Sequence, residues 1–142
     1  MSEDAFAGVD AQVRGIENDM NSTDAEIPRF DDGVVNAIAE LPEARYTEGG
    51  LFSFERAYTI DSNDEVVRPT GPPVFTGSWG GPSPVSSFRI LDGEPPTGQQ
   101  VVIDPVQAER GGFEVGQDIT ISLPLGKPEV FTLSGTIDFG DG

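Results

Sequence analysis

Hydrophobic positions along the chain change period several times, and the changes mark out its elements. In DDGVVNAIAEL (31–41) Val34, Val35, Ile38 and Leu41 recur at helical spacing, which predicts a helix over 33–41 with one apolar stripe. Asp31 or Asp32 can accept from the unpaired amides of its first turn, and Pro42 stops it. Upstream, residues 1–8 form a lead-in, AQVRGIE (11–17) suits a first strand and NDMNSTDAEIPRF (18–30) reads as a polar loop. Downstream, ARYTEGGLFSFERAYTID (44–61) is aromatic and β-branched, broken at Gly49-Gly50, and predicts one or two strands. DSNDE (61–65) then turns the chain into VVRP (66–69). PPVFTGSW (72–79) reads as another strand, GGPSPVSS (80–87) as a loop, and FRILDGEPP (88–96) as a short strand entering a turn.

The densest local signals lie in QVVIDPVQAERGGFEVGQDITISL (100–123). Val101–Ile103 is a short continuous apolar run, as in a buried strand. Asp104 stands at an N-cap position with Pro105 at the first helical residue, where a missing N–H costs nothing. Gln107, three residues on, fits a weak reciprocal capping box. Arg110 favours the negative pole of a helix over 105–110, and Gly111-Gly112 permits the left-handed residue that ends it. Gly116-Gln117-Asp118 turns the chain, Ile119, Ile121 and Leu123 alternate as a strand, and VFTLSGTIDF (130–139) is expected to return antiparallel.

These elements predict an α+β fold. Its sheet is mostly antiparallel and partly mixed, with the 33–41 helix packed on one face and the 105–110 helix near the end. The expected core comprises Val34, Ile38, Leu41, Phe52, Phe54, Val74, Phe88, Val102, Ile119, Ile121, Phe131, Leu133 and Ile137.

Composition narrows the chemistry. With 25 acidic and 8 basic residues the net charge is −17, which repels nucleic acid and anionic lipid headgroups, so no nucleic-acid partner is expected. Lys127 is the one lysine, a bias that fits either a salt-adapted or a GC-rich source. There is no histidine and no cysteine, which removes the commonest general base, the commonest zinc ligand, thiolate sites and disulfides. Catalysis would have to run on carboxylates, Ser, Tyr58 or Lys127, and no phosphate-binding loop sequence is present. The DFG triplet at 138–140 lacks every companion motif of a kinase. No catalytic residue, cofactor or firm metal site is expected.

Two weak candidates remain. Asp61, Asn63 and Glu65 present oxygens at alternate positions, as in a calcium loop, but Val66 stands where that loop needs glycine and Pro72 where it needs an acid. A solvated turn is the alternative reading. Trp79 in GSWGG (77–81) could offer an aromatic platform to a partner, or be buried against its neighbours.

The succession FRILDGEPPTGQQVVIDPVQAERGGFEVGQDITI, followed by EVFTLSGTIDFG, resembles the extracytoplasmic domain of FtsX-like (MacB-type) ABC transporter permeases. The resemblance is carried by Phe88, Leu91, Gly93, Pro96, Gly98, Val101, Val102, Ile103, Asp104, Ala108, Gly112, Val115, Gly116, Asp118, Ile119 and Ile121. Upstream, GVDAQVRG (8–15) looks like the strand after the first membrane helix, and VVNAIAELPEARYTEGG (34–50) like the helix–Pro–strand that comes next. Gln99-Gln100 departs from the usual acidic residue before the valines, Gln117 is inserted in the Gly-Asp turn, and residues 61–87 do not align.

The resemblance implies a MacB-like periplasmic core domain over 9–140, with a two-residue tail at 141–142. It implies insertion between two membrane helices, on the outer side of the cell membrane, and a separate cytoplasmic ATP-binding subunit as partner. An external protein or an exported substrate would be the other partner. The domain would be a rigid transmitter of motion with no chemistry of its own, and its two ends would lie close together. Met1 and the stop at Gly142 directly after a strand are expected of a piece excised from such a protein. The competing reading is a secreted β-rich module that binds a protein, glycan or cation.

Overall fold

The computed structural model describes residues 9–13, 31–53, 57–69, 76–81, 83–86, 88–123 and 126–139. In chain order these form helix α1 (Asp32–Ala39), strands β1 (Phe52–Ser53), β2 (Tyr58–Ile60), β3 (Val66–Val67), β4 (Thr76–Gly77), β5 (Phe88–Gly93) and β6 (Gln100–Ile103), helix α2 (Pro105–Gly111), and strands β7 (Asp118–Ser122) and β8 (Glu129–Phe139). The architecture is α+β, with a six-stranded mixed sheet, a separate two-stranded ladder of β1 and β4, and two helices.

β8 organises the large sheet. It pairs antiparallel with β7 along its first residues, antiparallel with β5 along its last, and parallel with β6 through its middle. Thr132 faces both Asp118 and Gln100, and Thr136 faces both Asp92 and Ile103. β6 therefore occupies one edge of β8, while β7 and β5 follow one another along the other. β2 extends the sheet beyond β7, and β3 closes that side as a hairpin with β2.

The handover from β7 to β5 requires the backbones to approach closely. Gly93 has φ 81, and a Cβ on it would collide with the Ser134 carbonyl and come within 2.7 Å of Gly135 Cα. A Cβ on Gly135 would collide in turn with the Asp92 carbonyl. Both registers slip here, by one residue at Leu91 in β5 and at Ser134 in β8 opposite β6, as β-bulges do where a strand must bend.

α2 is built as its sequence predicts. The Asp104 carboxylate accepts from the amides of Val106 and Gln107, Pro105 opens the helix, and Gly112 ends it at φ 66. The Phe113 amide donates back to Ala108 O at 2.9 Å. The neighbouring Gly111 serves a different purpose, because the Phe113 ring rests where its Cβ would be. Ala108 is buried and Phe113 packs on the core, so α2 covers one face of the sheet.

That core is Ala57, Ile119, Ile121 and Leu133, with Val101, Ile103, Phe113, Leu123 and Phe131 packed around it. Ile119, Ile121 and Leu133 are buried as expected. Val34, Ile38, Phe88, Val102, Phe131 and Ile137 are half-buried instead, and Leu41 is 52% exposed. Val102 alternates with Val101 and Ile103, which pack on the core, and so faces away from it, while Leu41 lies past the helix end. Phe54 and Val74 lie outside the described residues.

The first helix departs most from expectation. It ends at Ala39, with Glu40 as C-cap, and buries no residue. Asp31, of the two candidates, is the N-cap and accepts from the Gly33 amide. Among the described residues α1 makes no extensive contact with the sheet, and Val35 lies against Gly49 of its own following loop. Residues 11–13 form no strand and 14–17 lie outside the described residues, as do 72–75 of the expected strand at 72–79. Residues 44–50 form no strand either, so within the 44–61 stretch strand structure begins at Phe52.

Two substitutions test these assignments by urea unfolding. Ile121→Asp places an unpaired charge between β2 and β8 and should cost about 3–5 kcal/mol. Gly135→Ala forces the β5–β8 backbones apart and should cost about 1–3 kcal/mol. An unchanged midpoint in either variant would refute the corresponding assignment.

Candidate functional site

The β2–β3 turn gathers Asp61, Asn63 and Glu65, and the structure gives Asp61 a definite role. Its Oδ1 accepts from the backbone amides of Asn63 at 2.8 Å and Glu65 at 2.9 Å. The Asp61 amide donates to Glu65 O, and the Asp64 amide to Asp61 O. Asp64 takes a left-handed conformation at φ 61, which aspartate tolerates better than most residues. The Asp61 carboxylate thus closes the turn in place of a backbone group. The Glu65 and Asn63 amides hold its carboxyl below the usual aspartate range. Asn63 and Glu65 themselves are exposed, and among the described residues no three acidic side chains converge as a metal-holding group.

Trp79 follows β4 and is half-buried. Its ring lies 6.4 Å from that of Phe88 at the start of β5, tilted by 37°. This contact ties the β1–β4 ladder to the large sheet. The ladder is extended by reciprocal bonds between Leu51 and Ser78, with the Ser78 hydroxyl accepting from the Leu51 amide at 3.0 Å.

A shallow cleft of about 260 Å³ opens where β7 and β5 meet along β8, beside Gly93, Glu94, Val115, Gly116, Leu133 and Ser134. It falls below the roughly 300–1,000 Å³ of typical small-molecule sites. Its backbone groups are engaged: Glu94 N–H donates to Ser134 O, and Gly116 N–H to Leu133 O, each at 2.8 Å. Its hydroxyls are engaged too. Thr132 Oγ1 donates to Asp118 Oδ1 at 2.9 Å and Ser134 Oγ to Val101 O at 3.2 Å. Among the described residues Glu94 is the one ionisable side chain in the lining, and they present no acid–base pair there.

One polar contact is not foreseen by the sequence. Gln107 does not complete a capping box; its side-chain amide reaches across the sheet to Thr59 Oγ1 at 2.7 Å and Val67 O at 3.0 Å. Thr59 is buried, so this contact satisfies a hydroxyl that would otherwise lack a partner and clamps α2 onto the β2–β3 hairpin. The only signal for it is a polar residue about one turn from Asp104, which a cap explains equally well. Comparison of the chain with protein-family models, with curated proteins and with solved structures returns no match.

The Asp61 turn predicts a pH dependence with a definite sign. A carboxyl whose folded-state pKa is depressed stabilises the fold above its unfolded value, and the contribution is lost as pH falls through the folded value. Asp61→Ala should lower the thermal midpoint at neutral pH, and the difference from wild type should shrink to the loss of a neutral acceptor once the wild-type carboxyl is protonated. Equal midpoints at neutral pH would show that the turn closes without it.

Proposed function

We propose that this chain is the extracytoplasmic domain of an FtsX-like (MacB-type) ABC transporter permease, of the MacB-like periplasmic core type. One observation carries the reading: the ordered phrase across 88–139 coincides with a continuous structural unit, β5–β6–α2–β7–β8. The four glycines that carry the resemblance, Gly93, Gly98, Gly112 and Gly116, all hold positive φ, so these positions specify backbone shape.

In this reading the domain belongs to a membrane-embedded protein and stands on the outer side of the cell membrane. ATP hydrolysis falls to a separate cytoplasmic subunit, and the domain carries its motion to an external protein or an exported substrate. Such a part must rotate without deforming, since a two-state hinge in the membrane is read outside only by a body that keeps its shape. Two features favour stiffness of this kind. β8 is bonded along both edges, and α2 is clamped by Gln107. The reading requires the chain ends to lie on one side; residues 1–8 and 140–142 lie outside the described residues.

Labelling in the native host tests the proposal. These 142 residues have no cysteine, so one introduced at exposed Ser62 reports their location when the complete encoded protein is produced and compared with the same protein lacking it. The expected result is membrane fractionation, modification of intact cells by a membrane-impermeant maleimide, and co-purification of an ATP-binding subunit in detergent. Recovery from the medium without membrane association, or labelling only after lysis, would overturn it.

A further inference from the structure

Even if all eight basic residues were paired, seventeen of the twenty-five acids would remain uncompensated. Every described acid except Asp61 and Asp138 is exposed. The acids are spread over the elements, with Asp32 on α1, Asp92 on β5, Glu109 on α2 and Glu129 on β8. Among the described residues they build no discrete cation site. The repulsion therefore acts on the compact shape as a whole, and unfolding relieves it by spreading the charges apart.

Among the described residues the fully buried apolar surface that opposes that repulsion is small. Among the described residues the buried apolar set is Ala57, Ala108, Ile119, Ile121 and Leu133, two of them alanines. A domain of this length has a radius of gyration of about 14–15 Å. At about 0.1 M salt the screening length is about 10 Å, so each acid feels much of the molecule; at about 1 M it is about 3 Å, and each feels little beyond its neighbours.

We infer that the folded state is conditional on ionic strength, and that this surface is built for a medium of concentrated salt in which a diffuse atmosphere of monovalent cations supplies the missing countercharge. The inference rests on charge and core size and is independent of the proposed function.

Thermal unfolding of the 142-residue chain, followed by circular dichroism, tests it. Between about 0.1 M and about 1 M KCl the midpoint should rise by about 10 °C. Choline chloride at equal ionic strength should match KCl, because no specific cation is required. A flat midpoint, or an equal rise with a non-ionic osmolyte, would overturn the inference. Replacing exposed Glu40, Glu43, Glu109 and Glu129 with lysine moves the net charge from −17 to about −9. Self-repulsion grows as the square of net charge, so the salt-induced rise should fall to about a third of its wild-type size. Glutamine at the same four positions, a milder change, should give an intermediate rise. A wild-type rise in both variants would also overturn the inference.

Discussion

An extended backbone has two edges, yet β8 has three neighbours. The sheet resolves this by dividing one edge, giving its beginning to β7 and its end to β5. At the division two chains come closer than any side chain permits, so Gly93 and Gly135 face each other across the β5–β8 pair. The consequences spread outward from that point. The bulges at Leu91 and Ser134 bend the strands around it, Leu91 turns out to solvent, and the shallow cleft is the gap the division leaves.

The opposite edge of β8 explains why α2 is where it is. β6 runs parallel to β8, and a chain that must later return as β7 on the far side has to cross one face of the sheet. α2 makes that crossing. It needs a firm start, a firm stop and a grip on the sheet, supplied by Asp104, Gly112 and the reach of Gln107 to Thr59. A short helix gains little from its own hydrogen bonds, so these end groups and the burial of Ala108 hold it.

Legibility in the sequence followed the range of the interaction. Asp104, Pro105 and the glycine stop act within a few residues, and so α2 could be read with its caps. Alternation in β7 and β8 could be read because one face is buried, leaving Ile119, Ile121 and Leu133 in register. The stripe on α1 followed the same rule and still misled, because amphipathic spacing shows that a face is apolar and not what covers it. The parallel pairing of β6, the shared edge of β8 and the Gln107 contact join residues tens of positions apart, beyond the range of any local pattern. At the two candidate sites, sequence singled out the residues and left their use open. Asp61 bonds backbone amides and Trp79 meets Phe88, so both work within the fold.

The place of β8 in chain order bears on how the molecule is made. Among the described residues, β5 and β6 pair with no strand except β8, which follows both in the chain. While synthesis proceeds from one end, the β2–β3 hairpin can close early, but β5 and β6 have no template until the residues after Pro128 emerge. Assembly of this half of the molecule is therefore deferred and arrives as one event, in which a single late segment recruits both waiting strands.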